Sequence, residues 1–162
     1  MLKYAVSIAV LLISGCANYQ PVPEGYTGPV AIVKDTGFQE DGTTAQLFVL
    51  DKVDGKKIDT SFEATVQASH GQGFALTTVF EVRDIPARPM KVELYGSHTT
   101  AAPIQAMYKQ LNGTFYSVQG EVEFSPQADR RYVVKGKLAK AQSSIWIEDS
   151  ETGEKVTTVV TK

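Results

Sequence analysis

Residues 116–124 read Tyr116-Ser117-Val118-Gln119-Gly120-Glu121-Val122-Glu123-Phe124, and residues 131–138 read Arg131-Tyr132-Val133-Val134-Lys135-Gly136-Lys137-Leu138. In the first stretch Tyr116, Val118, Val122 and Phe124 point one way while Ser117, Gln119, Glu121 and Glu123 point the other. Tyr132, Val134 and Leu138 repeat the pattern against Arg131, Lys135 and Lys137. A period of two, apolar against polar, is the mark of an antiparallel strand with one face on a core and one in water.

The same alternation extends outward from these two stretches. Phe62, Ala64, Val66 and Ala68 alternate with polar neighbours, Phe74, Leu76, Thr78, Phe80 and Val82 alternate with Ala75, Thr77, Val79, Glu81 and Arg83, and Met90, Val92 and Leu94 stand opposite Lys91 and Glu93. Adding 30–34, 45–53 and 145–148 predicts about eight strands, separated by turn residues at Asp54-Gly55, His70-Gly71-Gln72-Gly73, Ile85-Pro86, Ser125-Pro126 and Thr152-Gly153. The expected fold is all-β, an antiparallel β-sandwich, with a closed β-barrel as the alternative. Gly120 and Gly136, isolated within strand patterns, point to bulges or close sheet contacts. One segment departs from the period of two. Pro103 opens a short helix with Ile104, Met107, Tyr108 and Leu111 on one face, closed by Asn112-Gly113. Its expected role is a lid over one end or face of the sandwich; the alternative is a groove or partner contact.

The 162 residues, 43% of them hydrophobic, suffice for one domain with a real core. The formal net charge of −2, with scattered charges, carries no footprint for nucleic acid. The single cysteine, Cys16, rules out an intrachain disulfide, and in an exported chain an odd cysteine needs a reason.

Its surroundings supply one. Lys3 precedes an apolar stretch over 5–13, which has the length of a signal-peptide core and is far short of the roughly 20 residues that span a bilayer. The stretch ends in Ile13-Ser14-Gly15-Cys16, which resembles the lipobox of bacterial lipoprotein precursors. The resemblance implies that residues 1–15 are removed and that Cys16 receives diacylglycerol on its thiol and an acyl chain such as palmitate on its amine. Each acyl CH2 adds about 0.8 kcal/mol of membrane affinity, so two or three chains hold a protein stably. Ala17, where an Asp would retain such a protein in the inner membrane of enteric bacteria, implies an outer-membrane anchor facing the periplasm. The expected organisation is a leader over 1–15, a lipidated N-terminus and Pro/Gly tether over 16–29, and one β domain over 30–162. With its Tyr26-Thr27-Gly28-Pro29 entry, its Val53-Asp54-Gly55-Lys56 turn and its Ile145-Trp146-Ile147-Glu148-Asp149 stretch, the body resembles small uncharacterised β-sandwich lipoproteins of Gram-negative bacteria. That likeness transfers no activity and no site.

The chemistry-bearing residues form no recognised catalytic, metal or cofactor pattern. His70 and His98 lack ligand spacing, and no cysteine remains to join them. Gly71-Gln72-Gly73 is expected to be a hairpin turn between strands, without the helix that a phosphate loop needs. Asp149, Glu151 and Glu154 lack the ligand alternation of a calcium loop. No serine lies in Gly-x-Ser-x-Gly. The basic stripe Arg131, Lys135 and Lys137 could meet envelope phosphates or carboxylates, but Glu121 and Glu123 on an adjacent strand are expected to neutralise it. Trp146 stands opposite Ile145 and Ile147, either as an exposed partner platform or beneath the 103–111 helix or the tether. The expected function is therefore a non-enzymatic, membrane-anchored binding or structural module that contacts an envelope protein or glycan, with Trp146 as its candidate surface. The alternatives are a periplasmic inhibitor or small-ligand-binding barrel and, more remotely, a hydrolase.

Overall fold

The two stretches that define the strand pattern both become strands, but they do not pair with each other. The structure, a computed structural model, describes residues 19–162. Among these the chain forms ten strands and two helices in the order β1 (Val30–Lys34), β2 (Thr36–Gln39), β3 (Thr44–Val53), β4 (Lys56–Lys57), α1 (Ser61–Ser69), β5 (Val82–Pro86), β6 (Met90–Thr100), α2 (Pro103–Leu111), β7 (Ser117–Phe124), β8 (Arg131–Lys137), β9 (Ser144–Asp149) and β10 (Val160–Thr161). One sheet runs β10-β9-β8-β1-β5; the other runs β2-β3-β6-β7, with β4 beside β3. We call them the β8 sheet and the β6 sheet. They stack as a sandwich that is not closed into a barrel. All pairings are antiparallel except β1 with β8, where Ile32 lies opposite Arg131 in a parallel register.

The inward rows of both sheets fill the space between them. Val33, Val134, Ile145 and Ile147 from the β8 sheet meet Phe48, Leu50, Val92, Leu94, Val118 and Phe124 from the β6 sheet, all essentially inaccessible. Gly136 faces inward in β8 where Phe48 crosses from the opposite sheet, and a Cβ there would lie 2.4 Å from the ring. Gly120 likewise makes room for Val160 of β10, which a Cβ there would meet at 2.6 Å. Both glycines thus mark close approach between elements, as their isolation in strand patterns implied. The Asp54-Gly55 turn between β3 and β4 has positive φ at both residues (49° and 76°), the geometry of a tight hairpin.

β1 and β2 form one run of chain that leaves the β8 sheet and enters the β6 sheet, and Asp35 is the residue at the bend. Its carboxylate is fully buried. Oδ1 accepts from the Leu50 amide (3.0 Å) and Arg83 Nη1 (2.8 Å), and Oδ2 from the Ser61 amide (3.0 Å), the Ser61 hydroxyl (2.9 Å) and Arg83 Nη2 (2.8 Å). One side chain thereby ties β3, α1 and β5 to the corner where the chain changes sheets.

The stretch 61–68 is a helix, contrary to its strand-like alternation. Thr60 caps it, accepting from the Phe62 amide, while Glu63 accepts from the Thr60 amide at 3.1 Å in a capping box. The face turned inward is Ser61, Thr65 and Ser69, whereas Val66 is exposed. These three hydroxyls accept the amides of Glu81 (2.8 Å), Val79 (3.0 Å) and Thr77 (2.9 Å). Four residues of helix rise about 6 Å and two residues of extended chain about 6.6 Å, so the spacings match. The stretch 77–81, expected as part of a strand, is therefore held by a helix, and strand pairing begins only at Val82. Removing the middle hydroxyl while keeping its shape (Thr65→Val) orphans the Val79 amide. We expect a loss of about 1–3 kcal/mol in urea unfolding, with little change for Val66→Thr on the solvent side.

Other expectations shift accordingly. His70-Gly71-Gln72-Gly73 is the exit from α1 and not a hairpin between strands; Gly71 and Gly73 carry positive φ there. Pro86 ends β5, and the turn falls after it. The 103–111 helix forms as expected, but Met107, Tyr108 and Leu111 are exposed (58%, 68% and 80%), so those side chains do not serve as a lid. The segment expected as an extended tether lies partly against the body. Tyr19 packs on the core with Lys56 Nζ 4.5 Å above its ring, Pro21 is buried, and the Tyr26 hydroxyl donates to the Pro29 carbonyl.

Candidate functional site

Because β7 and β8 belong to different sheets, the expected neutralisation of Arg131, Lys135 and Lys137 by Glu121 and Glu123 does not occur. Glu121 and Glu123 lie opposite Glu93 and Lys91 of β6. There, Lys91 reaches Glu121 at 3.1 Å, Lys52 reaches Glu93 at 2.8 Å, and Gln119 also donates to Glu93. These contacts raise the affinity of both lysines for their proton, chiefly through the hydrogen bond to the partner carboxylate. The cations on the outer face of the β6 sheet are thus matched to carboxylates.

The outer face of the β8 sheet is different. Along β8, Arg131, Lys135 and Lys137 are exposed and alternate with buried Tyr132 and Val134. β1 adds exposed Lys34, in register with Val133, which is in turn opposite Glu148 of β9. Among the described residues none of Lys34, Arg131, Lys135 and Lys137 has an ion-pair partner. Lys135 lies opposite Trp146.

Trp146 points outward, as the burial of Ile145 and Ile147 on the other side of β9 requires. It is half-buried. Lys155 lies over its ring, with Nζ 4.4 Å from the centroid. The indole N–H donates to Glu148 at 2.9 Å, and Glu148 bridges to Lys155 through the backbone. A cation over an indole face is held electrostatically. Trp146 is therefore a mount that fixes an ammonium on this surface, and not the bare platform its position alone suggested. Asp84 of β5, opposite Ile32, is the other carboxylate on the face. The face thus carries Lys34, Arg131, Lys135, Lys137 and Lys155 against Glu148 and Asp84, on a chain of net charge −2.

The remaining candidates sit apart from it. Cys16 lies outside the described residues. His70 ends α1 and is exposed, whereas the His98 side chain is buried within β6, its Nδ1 3.2 Å from Glu40 and its ring stacked on Phe115 at 4.9 Å. Asp149 turns its carboxylate onto the Glu151 and Thr152 amides (2.9 and 3.1 Å), and these hydrogen bonds hold it below the usual carboxylate range. It caps its own turn, and Arg130 reaches Glu151 at 3.1 Å. Among the described residues no group of three His, Cys, Asp or Glu side chains is placed to hold a metal ion. A cleft of about 450 Å3 lies between Tyr19-Gln20-Pro21-Val22 and the β5 edge, where Glu81, Asp84 and Asp59 line it together with Arg83, whose guanidinium is held by Asp35.

Sequence reasoning placed Trp146 and the β8 stripe but missed Lys34 and Lys155. Lys155 was within reach, since a tight turn over 149–154 must bring it back beside β9. Lys34 was not, because only the parallel β1–β8 pairing puts it there. In comparisons with family models, curated proteins and solved structures, this chain matches none.

Proposed function

We propose that this protein is a membrane-anchored envelope lipoprotein that works by binding and not by catalysis. Residues 1–15 serve as the export leader, Cys16 is acylated, and the sandwich presents the outer face of the β8 sheet, around Trp146, as its contact surface. The observation that carries the reading is Ile13-Ser14-Gly15-Cys16 directly after the apolar stretch 5–13, with Cys16 the sole cysteine of the chain. It is supported by the core, whose buried apolar residues among the described ones run from Ala31 to Ile147, within the stretch read as the mature domain. Ala17 favours the outer membrane, facing the periplasm.

Mass spectrometry of the protein purified from a bacterial envelope tests this. The expected N-terminal peptide begins at Cys16 and carries diacylglyceryl and amide-linked acyl mass. Cys16→Ser is expected to leave residues 1–15 uncleaved. A mature chain that starts elsewhere, or a Cys16 thiol open to maleimide, would overturn the anchor. The cleft beside β5 favours a second reading, a small-ligand binder: at about 450 Å3 it falls within the size range of ligand sites. Its carboxylates, Glu81, Asp84 and Asp59, suit a cationic ligand.

A further inference from the structure

We infer that the outer face of the β8 sheet rests on the anionic headgroup layer of a lipid bilayer, with Lys34, Arg131, Lys135 and Lys137 against lipid phosphates. The inference deepens the anchored reading above and takes its source of attachment from it.

Charge is segregated in this molecule. On the β6 sheet lysines meet carboxylates at ion-pair distance, whereas the exposed cations of β1 and β8 have no ion-pair partner among the described residues. Like charges two residues apart on a strand, about 7 Å, repel and contribute nothing to folding. Their partner is external and anionic.

Its shape follows from the surface. The cations are spread over neighbouring strands of a sheet face, while the cleft already described lies at the β5 edge. A plane of charge complements another plane. Lysine and arginine near an anionic leaflet each strengthen attachment about fivefold, and acyl chain plus basic patch is a stable pairing of signals.

The chain start agrees. Tyr19 is packed on the core, and the stretch 19–22 lines a cleft against β5, an edge strand of this same sheet. Only the span from Cys16 to Tyr19, about 10 Å even fully extended, separates the acylated residue from the body. A domain held that close meets the headgroups with one of its surfaces, and the sheet that carries the cations ends at the β5 edge where this stretch lies.

Trp146 is the only tryptophan, so its emission reports this face. The mature protein from the envelope would be reconstituted in phosphatidylcholine vesicles, with or without phosphatidylglycerol, each carrying a headgroup nitroxide lipid. Quenching of Trp146 is expected to be stronger on the anionic vesicles. The excess should be lost in 0.5 M salt (roughly a 4 Å screening length) and in Lys135→Glu/Lys137→Glu. Lys34→Glu, on a different strand, should reduce it as well and stands in if the double variant does not fold. Equal quenching on both vesicles, or an excess that survives charge reversal, overturns the inference. So does a response to soluble dextran sulfate without one to anionic vesicles, which would make the face a site for dissolved polyanions. Flotation with pure phosphatidylcholine vesicles reads the anchor separately. If the protein fails to float there yet binds anionic vesicles in a charge-dependent way, the anchor falls and the face stands.

Discussion

Asp35→Ala is expected to cost about 3–5 kcal/mol of unfolding free energy, a large part of what a domain of this size possesses. The substitution removes more than an ion pair. Arg83 is left as a largely buried guanidinium with 11% of its side chain exposed and no carboxylate, and the Leu50 and Ser61 amides lose their acceptor. A buried charge without its partner is the costly case; an apolar replacement of both members is often close to neutral. Asp35→Leu/Arg83→Met should therefore be more stable than the sum of the single changes predicts. It should still fall short of the wild type, because the two amides remain without a carboxylate. Chemical denaturation of the wild type, Asp35→Leu, Arg83→Met and the double variant closes this cycle. If Asp35→Ala unfolds within about 1 kcal/mol of the wild type, the corner is not what holds β1 and β2 in their separate sheets.

Gly136→Val is the second large effect expected, about 3 kcal/mol, at the upper end of what overfilling a packed core costs. A Cβ at this position meets the Phe48 ring at 2.4 and 2.5 Å and the Ser144 carbonyl at 2.7 Å. The same ring atoms also lie over Gly96, where a Cβ would come within 2.8 Å, so the ring has little room to withdraw toward that strand. Shrinking the ring (Phe48→Leu) in the Gly136→Val background should recover part of the loss, whereas the same change alone is destabilising. The Ser144 carbonyl is backbone and does not yield, so recovery should be incomplete. Thermal unfolding midpoints of the single and double variants measure the coupling. Additive losses would mean that Phe48 and position 136 do not compete for one space.

The strands were legible where burial is one-sided. In 117–124, 131–137 and 145–148 the apolar rows predicted which side chains point inward, because a sandwich buries one face of each sheet. The partner of each strand was not legible. β7 and β8 look like consecutive arms of a hairpin, but 125–130 carries the chain from one sheet to the other, and that transition changes which charges are neighbours. The helix at 61–69 was hidden because its buried row is Ser61, Thr65 and Ser69 and not an apolar stripe. Its signature was nonetheless present as Thr60 followed by Glu63, the capping pair. For the site, one-strand reasoning placed Trp146 correctly and gave no warning of the Lys155 ammonium over it. Cations contributed by β1 required knowledge of a parallel pairing that no local pattern reveals.

The hydroxyl rungs of α1 have a consequence for association. A stretch such as 77–81, with amides directed outward at every second residue, is a template on which another chain can build a strand. Ser61, Thr65 and Ser69 occupy those amides from the side, and a helix cannot be extended by a further strand. The border of the molecule is therefore closed to sheet growth at this point by hydroxyl groups, with no proline in the stretch. Loss of a rung exposes that border, so a Thr65 variant should be judged by its tendency to self-associate as well as by its unfolding.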